Sequence, residues 1–286
     1  MVVLQDVQTG IAMCRPQWGP RTVSEQALAL RALSGLPSAA VLIGDRNFGV
    51  FAVAFAADQQ GHSVVIRLTR VRAERLAGGA IEPGCDKQIT CRPTRWDCCG
   101  GPYDSQASVT GRLLCFAASD PNQKEPLYLF TTLPLSAQEI EHLYGLRSNV
   151  ETDLRSIKQT VHLQQLSARS ADVLEKELRF AFAAYNLVRA VICLAAEKAH
   201  LPPRRISFTN VYTLLETFAP DLHLHRHSEA ADPFWSRILV MAAKYKLPNR
   251  TKQRHYPHQA KALSRQARKN LKSRLTLHTA PPSHIA

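Results

Sequence analysis

The clearest periodic pattern lies in residues 136–160, SAQEIEHLYGLRSNVETDLRSIKQT, which are predicted to form one long helix. Ser136 followed three residues later by Glu139 is a capping box, which places the N-terminus of this helix. At about 100° per residue, the apolar side chains gather on one face that should be buried. They are Ile140, Leu143, Leu146, Val150, Leu154, Ile157 and Val161.

Four polar residues of the same helix align in a second stripe beside the apolar face. Tyr144, Arg147, Glu151 and Lys158 fall within about 40° of one another, at the spacing Tyr-x2-Arg-x3-Glu-x6-Lys. A carboxylate flanked by two cations and a phenol suits a site that handles phosphate and metal. The alternative is a solvated face with an Arg147–Glu151 pair at i, i+4, which contributes a few tenths of a kcal/mol.

Short apolar runs upstream of this helix predict a hairpin followed by a parallel α/β unit. The order strand, helix, strand implies a parallel pair with a right-handed crossover. The predicted elements are strands at 2–7 and 11–18 around a turn, a helix at 24–34, a buried strand at 40–44, a helix at 48–60 and a strand at 62–68.

Asp45 directly follows the predicted strand at 40–44, in the sequence GDRNFG. In open α/β sheets, ligands bind at the carboxyl ends of the strands. Asp45 is therefore a candidate metal ligand, with Arg46 beside it. The alternative is a helix N-cap, which is a common role for Asp at a strand-to-helix turn.

The segment from residue 69 to residue 132 is rich in Gly and Pro, and its short β-prone runs predict a β-rich insertion. Downstream of the patterned helix, residues 171–198 predict a second long helix. Apolar residues cover much of its circumference, so it should pack across the sheet as a core helix. Two shorter helices are predicted at 208–218 and 235–244.

The composition indicates a globular protein with a basic C-terminal tail. The 286 residues are 45% hydrophobic, which supports a real core, and no run predicts a membrane span. Seven irregularly spaced cysteines suit a reducing cytoplasm. The net charge of +13 is concentrated after residue 233, where there are twelve Lys or Arg and no Asp or Glu. Such a tail favours a polyanionic partner, and its alternative is a solubilising segment.

Three motifs together resemble one family. The Tyr-Arg-Glu-Lys spacing resembles the signature of bacterial DDE (Asp-Asp-Glu) transposases of the insertion-sequence-four family. GDRNFG resembles the sequence around their second catalytic Asp. Tyr185-Asn186 matches the Tyr-Asn pair that usually follows the signature in this family. The resemblance implies an α/β, ribonuclease-H-like core. Its parts are residues 1–68 as the first part of the core, 69–133 as a β-rich insertion, 134–200 as the second part of the core, and 201–286 as C-terminal helices and a basic tail.

The resemblance also implies a function: DNA transposition by metal-dependent strand cleavage and strand transfer. Asp45 and Glu151 would be catalytic residues and ligands of Mg²⁺ (or Mn²⁺). The implied partners are transposon-end DNA and target DNA, and a homodimer is compatible with the resemblance. It implies no membrane association and a cytoplasmic, nucleoid-associated location. The implied DNA-binding residues are Tyr144, Arg147, Lys158, Arg250, Lys252 and Arg254.

The sequence departs from the family at its start. The first catalytic Asp of the family belongs on a strand ahead of the hairpin, whereas this sequence begins at the hairpin. Asp6 is a poor substitute because it sits at the predicted turn. We therefore expect an N-terminally truncated core that lacks its first strand, and an inactive remnant. The alternatives are a DNA-binding fragment that interferes with a full-length transposase, and a basic helical adaptor without a nucleic-acid role.

Overall fold

A five-stranded mixed sheet forms the centre of the N-terminal half. The computed structural model describes residues 1–100, 103–118, 125–161, 163, 168–225 and 231–248, and Met1–Leu247 form one unit. The strand order is β1-β2-β5-β4-β3, in which β1 and β2 are parallel and every other neighbouring pair is antiparallel. The strands are β1 Val41–Gly44, β2 Ser63–Arg67, β3 Asp86–Cys91, β4 Val109–Phe116 and β5 Leu127–Thr131.

The predicted parallel unit is confirmed. Helix α1, Glu25–Leu33, begins at the side-chain cap Ser24, and helix α2, Phe51–Gln59, connects β1 to β2. The centre of β2 is buried because α2 covers one face of the sheet and the helix after β5 covers the other. The mixed α/β class of the prediction is therefore correct.

The segment predicted as a β-rich insertion does supply three strands, and they continue the same sheet because β5 pairs with β2. It also contains two helices that were not predicted, α3 (Arg70–Ala77) and α4 (Arg95–Gly100). Helix α3 has clear boundary chemistry, since the Thr69 hydroxyl accepts from the Arg72 amide and Gly78 ends the helix at φ 78°. The domain boundaries at 69 and 133 stay predictions.

The prediction of one helix over 136–160 is wrong. The region forms α5 (Ala137–Gly145), α6 (Ser148–Arg155) and a π-helix over Ser156–Thr160. The capping box at Ser136 and Glu139 is confirmed, with both of its hydrogen bonds present. Between α5 and α6, four backbone amides bond to carbonyls only three residues back, which tightens the chain before the π-helix widens it.

These changes of helical pitch alter which side chains are buried. Of the seven apolar residues predicted to form a buried face, only Ile140 and Ile157 are fully buried. Two polar side chains, Tyr144 and Asp153, are buried instead. A wheel drawn at a constant 100° therefore misplaces the face, because the turn angle changes twice along the segment.

A helical layer forms the second half of the structure. Helix α7, Ala171–Lys198, has the predicted bounds, and α8 (Phe208–His225) and α9 (Ala231–Lys244) pack against it. Both α8 and α9 are longer than predicted. By length and composition, α7 is the one helix in the described residues that passes as a membrane span. Nine of its residues, Arg189 among them, are buried in this layer, which is the arrangement of a core helix.

The antiparallel pairing of the N-terminal hairpin is confirmed, but it consists of isolated bridges instead of the two predicted strands, and it lies on α7. Val2 and Gln17 exchange backbone hydrogen bonds of 2.8 Å, and one Asp6 carboxylate oxygen accepts from the Thr9 amide at 2.6 Å. Asp6 therefore sits at the turn, as predicted. The Asn186 side chain on α7 exchanges hydrogen bonds with the Ala12 backbone. Within the described residues, β1 is an edge strand of the sheet.

Candidate active site

Two charged residues meet where the parallel strands end. Gly44 on β1 pairs with Ile66 on β2, so Asp45 and Arg67 follow as neighbours at the carboxyl edge. One Asp45 oxygen accepts a 2.9 Å bond from the Asn47 amide. This bond closes a local turn, and α2 begins several residues later without a side-chain cap. The alternative of Asp45 as a helix N-cap is therefore wrong.

Tyr144, in the last turn of α5, connects this edge to the patterned helices. Its side chain is only 8% exposed, and its hydroxyl makes no hydrogen bond of ordinary geometry with the described residues. Burial raises the pKa of the Tyr144 phenol. Arg147 and Arg67 oppose that rise and Asp45 adds to it, so all three charges act on this hydroxyl. The fold therefore brings a phenol, two cations and a carboxylate together.

Glu151 joins the same group through Arg147. The Arg147 guanidinium donates to the Glu151 carboxylate at 2.8 Å, across the first turn of α6. The Glu151 side chain is 63% exposed, so the pair is a solvated i, i+4 ion pair in this structure. The carboxylate is thus reachable from solvent, and Arg147 links it to the phenol that lies beside Arg67 and Asp45.

The remaining predicted DNA-binding residues are Lys158 and three residues of the basic tail. Lys158 is exposed in the π-helix, and its place among the DNA-binding residues stays a prediction. Arg250, Lys252 and Arg254 lie outside the described residues.

Arg67 is a site residue that the sequence interpretation missed. It ends a buried strand, and only the pairing of β2 beside β1 places it next to Asp45. The available signal was a charged residue at the carboxyl end of each predicted strand of a parallel pair: Asp45 directly follows one strand, and Arg67 is the penultimate residue of the other. The carboxyl ends of such strands share one edge.

A buried ion cluster, also missed, fixes the rotation of α6. The Asp153 carboxylate is fully buried and accepts from Arg189 and from Arg204, the latter through two nitrogens at 2.6 and 2.9 Å. Two residues along a helix is a rotation of about 200°, so burying Asp153 turns Glu151 toward solvent.

The same cluster anchors the hairpin. Arg204 also donates to the backbone carbonyls of residues 6, 7 and 8, at 3.1 to 3.2 Å. Arg189 donates to the Tyr185 hydroxyl at 3.0 Å, and that hydroxyl donates to the Gly10 carbonyl at 2.7 Å. Asp153 therefore connects α6, α7, the 3-10 turn Pro203–Arg205 and the hairpin.

A comparison with protein families shows to which family the chain belongs. The family model of the transposase DDE domain matches residues 6–187, which is more than half of the chain. The chain belongs to the transposase DDE domain family. The match contains Asp45, Arg67, Tyr144, Arg147 and Glu151, and it ends just after the Tyr185-Asn186 pair. A search of curated proteins found no match. The predicted transposase identity is confirmed, while the insertion-sequence-four assignment stays a prediction.

The fit of this transposase site to a divalent metal is partial. Mg²⁺ and Mn²⁺ prefer carboxylate oxygens. Asp45 presents such oxygens at the sheet edge, and Glu151 is linked to it through Arg147 and Tyr144. Within the described part of the chain, however, no three His, Cys, Asp or Glu residues are grouped closely enough to hold a metal ion. Asp153 cannot complete the set, because it is fully buried and both of its oxygens accept hydrogen bonds from Arg189 or Arg204.

Proposed function

We propose that this transposase cleaves and joins DNA strands at the carboxyl edge of β1 and β2. The observation that carries the proposal is the buried Tyr144 hydroxyl among Arg67, Arg147 and Asp45, where the nearby Arg67 forms at most a hydrogen bond of poor geometry with it. Phosphoryl transfer needs cations that hold phosphate oxygens and carboxylates that hold metal ions. This edge offers both in one place. The finer assignments, a ribonuclease-H-like core and the insertion-sequence-four family, belong to the same proposal.

In this proposal the cations and the phenol bind the phosphate backbone. Arg67 and Arg147 donate paired N–H groups to phosphate oxygens, for which guanidinium geometry is suited. The Tyr144 hydroxyl is buried in the structure, so it donates to a phosphate oxygen only after the arginines around it turn toward the DNA. Other basic residues bind phosphates farther along the DNA, lysines as point charges and arginines as bidentate donors. They are Lys158, Arg250, Lys252 and Arg254.

Asp45 and Glu151 are the proposed metal ligands. Glu151 must release Arg147 before its carboxylate can bind a metal ion. Opening an exposed ion pair costs only about 0–1 kcal/mol, so a phosphate that captures Arg147 frees the Glu151 carboxylate cheaply. Bound Mg²⁺ or Mn²⁺ ions would supply activation of the attacking oxygen and stabilisation of the leaving oxygen. A third carboxylate, from outside the described group, is part of this proposal.

The test is Mg²⁺-dependent cleavage of transposon-end DNA, measured beside DNA binding. Asp45→Asn and Glu151→Gln should abolish cleavage and leave binding largely intact. Arg67→Ala should weaken binding and cleavage. Its matched control is Arg70→Ala, because Arg70 is a nearby arginine that already pairs with Glu74 on the surface of α3. Cleavage that survives Asp45→Asn, or equal effects of Arg67→Ala and Arg70→Ala, would contradict the assignment.

A second function is favoured by the incomplete carboxylate group. In that case the protein binds DNA without cutting it and interferes with a complete transposase, as an inactive remnant would. This alternative predicts salt-sensitive DNA binding that survives Glu151→Ala and weakens when the chain is deleted from Lys244 onward. It also predicts no Mg²⁺-dependent cleavage by the unsubstituted chain, so the same assay separates the two functions.

A further inference from the structure

Helix α7 carries a line of exposed large apolar side chains at every seventh position. Val173, Phe180, Leu187 and Leu194 are 44%, 76%, 62% and 44% exposed, respectively. A spacing of seven residues keeps side chains nearly in line along a helix. We call these four residues the α7 stripe. They run over most of the length of the helix, on the side opposite its buried core face.

Scattered exposed hydrophobic side chains are ordinary, but from Phe180 to Leu194 this stripe is unbroken by charge. The exposed Lys176 lies between Val173 and Phe180, at one end of the stripe. Ala183 and Ala184, between Phe180 and Leu187, are exposed as well. From residue 180 to residue 196 the only charged residue is Arg189, and it is buried against Asp153. A helix that is apolar around its circumference is normally covered on all sides. The stripe therefore lacks a covering partner within the described residues.

We propose that the α7 stripe binds the same stripe of a second copy of this chain, with the two helices antiparallel. The stripe is symmetric about the Ala183–Ala184 bond. An antiparallel pair would therefore set Phe180 against Leu187 of the second copy and Val173 against Leu194 of the second copy. The two alanines fall at the centre, where small side chains allow the helices to approach closely.

The charges at the two ends of α7 select the antiparallel arrangement. Asp172 lies in the first turn and Lys198 in the last turn. An antiparallel pair places Asp172 near Lys198 of the second copy and opposes the two helix dipoles, whereas a parallel pair places like charges together. Lys198 also donates to the Ser236 hydroxyl of its own chain and remains exposed.

The size of the stripe sets the expected strength. A helix of 28 residues is about 42 Å long, and a strip about 10 Å wide along it covers about 400 Å² per copy. Standard protein interfaces bury about 800 Å² per partner. The hairpin adds surface beside the stripe, because Met13, Arg179 and Ala183 line one shallow groove. We therefore expect a dimer that dissociates on dilution.

The test is sedimentation velocity of the full chain over a concentration series. The unsubstituted chain should shift from one copy to two as concentration rises. Phe180→Glu and Leu187→Glu should each weaken the association by at least about tenfold, because the interface would bury an unpaired carboxylate. Val71→Glu on α3 is the matched control, since Val71 is 75% exposed and lies outside the stripe. Unchanged circular dichroism of each variant shows that folding is retained.

Two results would overturn the proposal: a single copy at every concentration, or a dimer that is insensitive to both stripe variants. The second result would mean that a different surface forms the dimer. Neither result depends on DNA cleavage, so the proposed function and this inference fail separately.

Orientation is tested by disulfide cross-linking in a Cys193→Ser background, because Cys193 adjoins Leu194. Val173→Cys mixed with Leu194→Cys should cross-link, whereas either variant alone should not exceed the background. In an antiparallel pair, identical positions at the helix ends lie about 30 Å apart. Cross-linking of either variant alone would indicate a parallel pair and contradict the proposed arrangement.

Discussion

Glu151 and Asp153 are two carboxylates on one short helix, and the structure gives them opposite surroundings. Glu151 is mostly exposed and holds one arginine through a single solvated contact, whereas Asp153 is fully buried and holds two arginines. The difference shows that a carboxylate required for folding and one available for chemistry can be neighbours in the sequence. Substitution of Asp153 should therefore lower the free energy of unfolding, whereas substitution of Glu151 should leave stability nearly unchanged and abolish DNA cleavage.

The largest effect on stability is expected for Asp153→Ala. Removing this carboxylate leaves the buried Arg189 and the half-buried Arg204 without a counter-ion. Breaking a buried pair in this way costs about 3–5 kcal/mol of unfolding free energy. Urea denaturation of Asp153→Ala beside the unsubstituted chain measures the loss. A loss below about 1 kcal/mol would show that the two arginines are solvated without Asp153 and would remove the contrast with Glu151.

A smaller loss is expected where the hairpin contacts this cluster. Gly10 has φ +81°, and a Cβ atom there would lie 2.8 Å from the Arg189 Nε atom. Gly10→Ala should therefore cost about 1–3 kcal/mol from backbone strain, with the clash against Arg189 added. Gly84→Ala is the matched control, because Gly84 has φ +92° and open space around its Cβ position. Equal losses for the two variants would show that contact with Arg189 is unimportant.

Local signals in the sequence predicted much of the fold. The capping box at Ser136 places the start of α5, and the apolar residues that recur around the circumference of residues 171–198 predict α7 with its observed bounds. The parallel β1–α2–β2 unit follows from alternating short elements. The break between α5 and α6 was missed, because it arises from a few backbone bonds that no side-chain period reports.

The candidate site was predictable only in part. Asp45 at a strand end and the Arg147–Glu151 spacing are visible in the sequence. Arg67 needs the pairing of β2 with β1. Burial of Asp153 depends on Arg189 and Arg204, which lie 36 and 51 residues away along the chain. Ion pairs of such long range leave no periodic trace, so a buried aspartate looks the same as an exposed one.

A third prediction concerns Tyr185, which links the buried cluster to the hairpin. Tyr185→Phe removes the hydrogen bonds to Gly10 and from Arg189 and should cost about 1–2 kcal/mol. Burial also raises the pKa of Tyr185 to about 12. An unfolded phenol ionises near about pH 10. The unfolded state therefore loses its proton first, and the folded state becomes less stable as pH rises from the unfolded pKa to the folded pKa.

Tyr185→Phe should remove part of that alkaline loss, so the gap between the variant and the unsubstituted chain should narrow above pH 10. Urea denaturation in a pH series measures both effects. A gap that stays constant with pH would contradict burial of an ionisable phenol at this position.

The smallest change in stability is expected for Glu151→Gln. The carboxylate is exposed and its one partner, Arg147, is also reached by water, so the pair contributes only about 0–0.5 kcal/mol. If Glu151 is a metal ligand, the same substitution should abolish Mg²⁺-dependent cleavage of DNA, because a neutral amide is a far weaker ligand than a carboxylate. Urea denaturation and the cleavage assay on one preparation give both values. A loss of stability above about 1 kcal/mol would place Glu151 with Asp153 among the residues that hold the fold. The Arg147–Glu151 pair would then be too strong to open at little cost, and the proposed exchange of Arg147 for a metal ion would lose its physical basis.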